Sequence, residues 1–168
     1  EADALIRSLC VHGKGPGGKY NNIRIGMNSR LDNLQAAVLL PKLKALADYE
    51  MDARQTVARR YSAALAGKFT TPFVAEGCMS AWAQYALLAE NTTKRDRIIA
   101  HLTEKDIPNM VYYPTPQHAL PVFREEPCYG ETFKNANDYC ARTFSLPMHP
   151  YLSEVEQQTV IDAVLEAV

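Results

Sequence analysis

Between Leu31 and Leu65 the apolar positions keep a helical period. Leu31, Leu34 and Val38 fall at i, i+3 and i+7, and Leu39, Leu43 and Leu46 continue at i, i+4 and i+7. The pattern predicts one long helix with an apolar stripe. Ser29 and Asp32 have the spacing of a capping pair, and an acidic first turn suits the positive end of the helix dipole. Pro41 removes one backbone hydrogen bond and crowds the carbonyl of Ala37, which predicts a bend rather than a stop. Run unbroken, the segment spans roughly 50 Å at about 1.5 Å per residue, more than a small core needs. It is expected to bridge two domains or two subunits.

After Gly67 the period changes. Residues 80–90, "SAWAQYALLAE", read as a strand, and 92–106 as a helix with Thr93 and Asp96 at its start. Residues 107–114, "IPNMVYYP", read as a second strand closed by Pro114. A Pro-rich loop, a helix near 131–144, a turn at 145–152 and a last helix follow, the last opened by the capping-box pair Ser153 and Glu156. The order β-α-β-loop-α-α predicts an α+β domain. Three parts are expected: residues 1–30 as the tail of a preceding domain, 31–66 as an interdomain helix, and 67–168 as a small C-terminal domain. "EADALIRSLC" opens inside a helical pattern, so the chain reads as a piece of a longer protein.

Composition narrows the function classes. Of 168 residues, 47% are apolar and 22% charged, with a net charge of −1, so no polyanion or membrane surface is implied as partner. No apolar run approaches the roughly 20 residues of a membrane span. Cys10, Cys78, Cys128 and Cys140 form no CxxC pair, which suits reduced thiols in a cytoplasmic protein, and the four histidines lack metal-ligand spacing.

The segment "HGKGPGGKYNN", residues 12–22, is one residue away from a phosphate-binding GxxxxGK[ST] loop. Tyr20 stands where the Mg²⁺-holding hydroxyl belongs, Pro16 removes a cradle N–H, and no helix opens directly after it. A Gly-rich connection is expected instead. Three clusters could carry chemistry. Asn28 and Arg30 precede the long helix, as an anion clamp or as a cap beside a surface Arg. Tyr112, Tyr113 and His118 follow a strand end; either the phenols face a ligand, or one packs inward and the other under the loop. "SLPMHPYL", with His149, reads as a rigid structural turn.

The stretches "RSLCVHG", "GMNSRLDNLQAAVLLPKL", "SAWAQYALLAE", "IPNMVYYPTPQHALPVF" and "FSLPMHPYLSEVE" together resemble the DegT/StrS family of PLP-dependent sugar aminotransferases, across essentially the whole chain. The resemblance implies the C-terminal part of a fold-type I aminotransferase, with the large PLP-binding domain and its Schiff-base lysine upstream of Glu1. Neither Lys14 nor Lys19 sits in the family's lysine motif. It further implies a homodimer with active sites at the interface. Asn28 would then serve the cofactor, and Arg30, Tyr113 and His118 the substrate. The Gly-rich segment becomes a variable loop. The implied reaction moves an amino group from glutamate to a nucleotide-linked keto-sugar, and within the family the resemblance points to a UDP-linked 3-keto uronate used for surface polysaccharide. Uronate-using relatives often carry His-Tyr-Pro where this chain has Tyr112-Tyr113-Pro114, so Tyr112 departs from their pattern. The fragment alone is expected to be inactive. A PMP-dependent dehydratase of the same family and a non-catalytic dimerisation or nucleotide-sugar-binding module are the alternatives.

Overall fold

The computed structural model describes residues 1–18 and 20–168, which divide into two compact units, Glu1–Ala47 and Asp48–Val168. The first unit begins with helix α1, Ala2–Leu9. A ribbon follows in which the His12 N–H donates to Met27 O (2.9 Å), Met27 N–H to Leu9 O (2.8 Å) and Ser29 N–H to Cys10 O (3.0 Å). Two glycines make this close approach possible. Gly13 has φ +72°, and a Cβ there would lie 1.8 Å from the Arg24 carbonyl oxygen; one on Gly26 would lie 2.2 Å from the Gly13 nitrogen. Ser8, the buried residue of α1, donates its hydroxyl to Lys14 O at 2.7 Å and accepts from the Arg24 guanidinium.

Helix α2 spans Asn33–Ala45. Its cap is Asp32 alone, whose carboxylate accepts from the Gln35 N–H at 2.8 Å, so the expected Ser29–Asp32 pair is corrected. Pro41 lies inside α2, and the departure from α-helical geometry comes later, in a π-helical turn at Leu46–Glu50. The apolar residues Leu34, Val38, Leu40 and Leu43 are all exposed in this chain.

The second unit contains helix α3 (Met51–Leu65), strand β1 (Tyr85–Leu88), helix α4 (Thr92–Glu104), helix α5 (Lys134–Arg142), strand β2 (Thr143–Leu146) and helix α6 (Glu154–Glu166). β1 and β2 pair antiparallel, with Tyr85 opposite Leu146 and Leu88 opposite Thr143. Single bridges extend the ladder on both sides, Thr70 to Leu88 and Met110 to Ser145. The core gathers Tyr61 and Leu65 of α3, Tyr85 and Leu87 of β1, Ile98 and Leu102 of α4, Phe144 of β2 and Val160 and Val164 of α6. Its polar atoms are paired where they meet the wall: the Tyr61 hydroxyl donates to Pro147 O (3.0 Å), and the Tyr85 hydroxyl lies 2.8 Å from Ser62 Oγ. Burial pushes the ionisation of both phenols up. Trp82 seals one edge, donating its indole N–H to Gln55 Oε1 at 2.8 Å.

The α+β class is as the pattern predicts, but the strand placement differs. Residues 107–114 form no strand; Met110 makes a single bridge there, because Pro108 and Pro114 remove ladder donors. The partner of β1 is instead β2, within the segment expected to be helix and turn. All four of its residues are buried, so no alternation marked it as a strand. β1 is also shorter than 80–90, starting only after Trp82, whose φ is +48°. The cap of α4 is Asn91, accepting from Lys94 N–H at 2.9 Å, rather than Thr93 with Asp96.

The capping box on α6 is fully formed. The Glu156 N–H donates to Ser153 Oγ (3.2 Å), while the Ser153 hydroxyl and N–H both donate to the Glu156 carboxylate (2.6 and 2.9 Å). These bonds hold the Glu156 carboxyl below its ordinary range. Because the folded value is depressed, the stabilisation is fully present above the unfolded Glu value of about 4.3 and is lost as pH falls through the folded one. Glu166, lowered by Lys105 first and then His101, follows the same sign. Glu156→Gln is therefore expected to lower Tm near neutral pH, with the gap to wild type shrinking below about pH 4. A gap that stays constant across that range in thermal unfolding would refute the assignment.

Candidate functional site

The second unit carries a cleft of about 840 Å³ between the 112–120 loop and α5. Pro114 and Pro116 stiffen the loop, and two 3₁₀ turns, Gln117–Ala119 and Pro121–Phe123, complete it. Tyr112 and Tyr113, joined by a cis peptide bond, set their rings edge to face with centroids 5.8 Å apart. They are not separated onto opposite strand faces, since no strand forms here. Tyr113 is 70% exposed, whereas Tyr112 and His118 are half-buried. His118 packs its ring against Phe133 at 4.7 Å, and α5 closes the far wall with Tyr139 and Cys140.

Apart from His118, no ionisable Lys, Arg, Asp or Glu lines this cleft among the described residues. Such a surface suits the face of a sugar or base ring, with phenol hydroxyls at its edge for hydrogen bonding. Tyr113 and His118 thus share one cleft. Tyr139 and Cys140 join them without having been anticipated. Their only sequence signal was the i, i+3 relation of Ala136 and Tyr139 on a short polar helix.

Asn28 and Arg30 belong to the first unit. Arg30 Nε donates to Asn28 Oδ1 at 2.8 Å, both side chains being exposed, and the ribbon to Cys10 and His12 holds their backbone. Neither caps α2, since Asp32 does. The pairing uses Arg30 Nε and Asn28 Oδ1, and the Asn28 NH₂ and the two terminal guanidinium nitrogens are donors of the kind that match an oxyanion.

The Gly-rich segment offers no phosphate cradle at the described positions. Gly13 N–H donates to Ser8 O (2.8 Å), Lys14 N–H to Val11 O (3.1 Å) and Gly15 N–H to Asn21 O (2.8 Å), so these donors are committed within the chain. Lys19, which occupies the motif's lysine place, lies outside the described residues. The "SLPMHPYL" turn is tied down by Tyr61 at Pro147 O and by the Tyr151 hydroxyl on the Glu50 carboxylate. Among the described residues no group of His, Cys, Asp or Glu is placed to hold a metal ion, and no helix is long and apolar enough to cross a membrane.

Comparison with known proteins covers the whole of this architecture. Residues 1–165 match the profile of the DegT/DnrJ/EryC1/StrS aminotransferase family. A Pseudomonas aeruginosa protein, UDP-2-acetamido-2-deoxy-3-oxo-D-glucuronate aminotransferase, is 35% identical over 165 residues, covering 98% of this chain and 44% of the relative. A DegT/DnrJ/EryC1/StrS aminotransferase structure from Brucella abortus superposes with a TM-score of 0.84 at 42% identity, over 99% of this chain and 44% of that one. NtdA from Bacillus subtilis, solved with bound cofactor PMP, gives 0.80 at 26% identity, over 95% and 38%. The chain thus spans less than half the length of these relatives. Its mixed helical and small-sheet fold is that of part of a fold-type I aminotransferase.

Proposed function

The chain belongs to the DegT/DnrJ/EryC1/StrS aminotransferase family, and from that premise we propose that it is the C-terminal part of an enzyme transferring the amino group of glutamate to a nucleotide-linked keto-sugar. The observation that carries this is the family match over residues 1–165, joined by a 35% identical relative named for that class of reaction. Its specific form is a UDP-linked 3-keto uronate, as in that relative's name. The balanced reaction yields 2-oxoglutarate and the amino sugar. The parts of the chain take their roles from the same reading: 1–30 as the end of the large domain with the interface loop, 31–66 as the interdomain helix, and 67–168 as the small domain. The exposure of Leu34, Val38, Leu40 and Leu43 supports a further domain or a second subunit lying over α2.

Aminotransferases of this family use pyridoxal phosphate, which when bound supplies the electron sink and carries the amino group. The amide NH₂ of Asn28 and the fork of Arg30 fit a phosphate by their chemistry, three or more N–H donors with one fixed charge. We assign Asn28 to the cofactor phosphate and Arg30 to the substrate's phosphates, acting in a homodimer whose interface completes each site. Tyr113 and His118 orient the sugar: Tyr113 by its exposed ring and hydroxyl, His118 from the cleft wall against Phe133. The lysine that anchors the cofactor and moves the proton is assigned to the part of the enzyme before Glu1.

The test compares the longer protein with the 1–168 chain, each given PLP, glutamate and the keto-sugar nucleotide. The longer protein is expected to form 2-oxoglutarate and amino sugar in equal amounts, and the 1–168 chain to form neither. Absence of 2-oxoglutarate from the longer protein overturns the transaminase assignment, and turnover by the 1–168 chain overturns the division of labour.

A further inference from the structure

The backbone of His118 is fixed, but its ring is not held by the same bonds. The residue lies in the 3₁₀ turn Gln117–Ala119, closed by the Ala119 N–H on Pro116 O and the Leu120 N–H on Gln117 O, each at 3.0 Å. A turn of three residues places the Cα and leaves the two side-chain torsions open. Neither imidazole nitrogen makes a hydrogen bond among the described residues, so both are available to a ligand in the cleft. The contact that orients the ring is with Phe133, an edge-to-face pair with centroids 4.7 Å apart and an interplanar angle of 62°.

Phe133 stands immediately before α5, and its carbonyl accepts the Asn137 N–H at 3.0 Å, so its backbone is part of the helix start. Ala136 and Cys140 follow at i+3 and i+7, the spacing of one helix face, and both line the cleft. At the other end of α5, Arg142 Nη1 donates to Ala89 O at 2.9 Å, which ties the helix to the residue after β1. The wall made by α5 is thus anchored to the sheet at one end and meets the loop through Phe133 and His118 at the other. Phe133 is 47% exposed and stands outside the buried core, so burial gives its ring little to do for the fold.

We propose that Phe133 is a positioning residue for the sugar end of the nucleotide sugar: it holds the His118 imidazole in the cleft wall so that a ring nitrogen hydrogen-bonds a sugar hydroxyl. A hydroxyl is the matching group because the cleft offers no Lys or Arg for an anion among the described residues. The assignment rests on the nucleotide-sugar reading of the preceding section.

The probes are UDP-glucose and UDP, titrated calorimetrically into the full-length protein. Phe133→Ala is expected to weaken UDP-glucose about 3- to 10-fold, the range of one aromatic contact, and to leave UDP, which has no sugar, within about 2-fold. Phe133→Tyr keeps the ring and should bind UDP-glucose within about 2-fold of wild type. His118→Gln should weaken UDP-glucose at least as much as Phe133→Ala does. Adding Phe133→Ala to it should then cost no more than about 2-fold further, since the group to be positioned is gone. UDP-glucose binding unchanged by Phe133→Ala overturns the proposal. So does equal loss for UDP and UDP-glucose, or a full further loss in the double variant, because Phe133 would then act on the fold and not through His118. If His118→Gln alone leaves UDP-glucose unchanged, His118 is removed from the site and the proposal with it. Failure of the wild-type protein to bind either ligand removes the nucleotide-sugar reading itself.

Discussion

Arg30→Ala in the full-length enzyme is expected to lower kcat/KM for the nucleotide sugar by about 100- to 1,000-fold, mostly through KM. The reasoning starts from charge. A guanidinium that forks onto phosphate makes two charge-assisted hydrogen bonds, and losing such a contact in a closed site costs roughly 3–4 kcal/mol, at about 1.4 kcal/mol per tenfold. Asn28 Oδ1 accepts from Nε at 2.8 Å and so orients the fork before substrate arrives. Arg30→Lys keeps the charge but not the planar pair of donors, and recovery of no more than about a tenth of wild-type efficiency is expected. Asn28→Ala should separate from both: it should weaken retention of the cofactor, followed by its absorbance after dialysis, more than it raises KM for the sugar. Steady-state kinetics that show Arg30→Ala within about 3-fold of wild type would remove Arg30 from the site.

Phe144→Ala should cost the second unit about 3–5 kcal/mol, the range for deleting a fully buried aromatic ring. Phe144 is 0% exposed in the middle of β2, pairs with Leu87 in register, and meets Phe69 edge to face at 5.6 Å. Its removal leaves a cavity in the core beside β2, against which α4 packs. Trp82 is the sole tryptophan and packs 5.7 Å from the Tyr85 ring, so its fluorescence reports directly on this core during urea unfolding. Val155→Ala, on the 77% exposed face of α6, is the control and should stay within about 0.5 kcal/mol. A Phe144→Ala midpoint equal to that of the control would show that β2 does not organise the core.

The division between what sequence and structure contributed follows from the range of the interactions involved. Local signals were legible. The helical periods of α3, α4 and α6 rest on side chains three and four residues apart, and the Ser153–Glu156 box closes within one turn, so both could be read from neighbouring letters. The G-x-N-x-R stretch marked Asn28 and Arg30 for the same reason, and the family resemblance extended from such local runs to the whole chain.

What failed to show in the sequence was decided by partners distant along it. β2 has no alternation because both its faces are covered, and it became a strand by pairing with β1 some 60 residues earlier. The apolar stripe of α2 was legible as a helical period, but those leucines are exposed in this chain, since such a period states which face wants cover and not what supplies it. The cleft gathers Tyr112 to His118 with Tyr139 and Cys140, and His118 meets Phe133. None of those sets is close in sequence. They meet because β1 and β2 fix their register and the Pro-rich loop folds beside them, a long-range arrangement that only the packed core can specify.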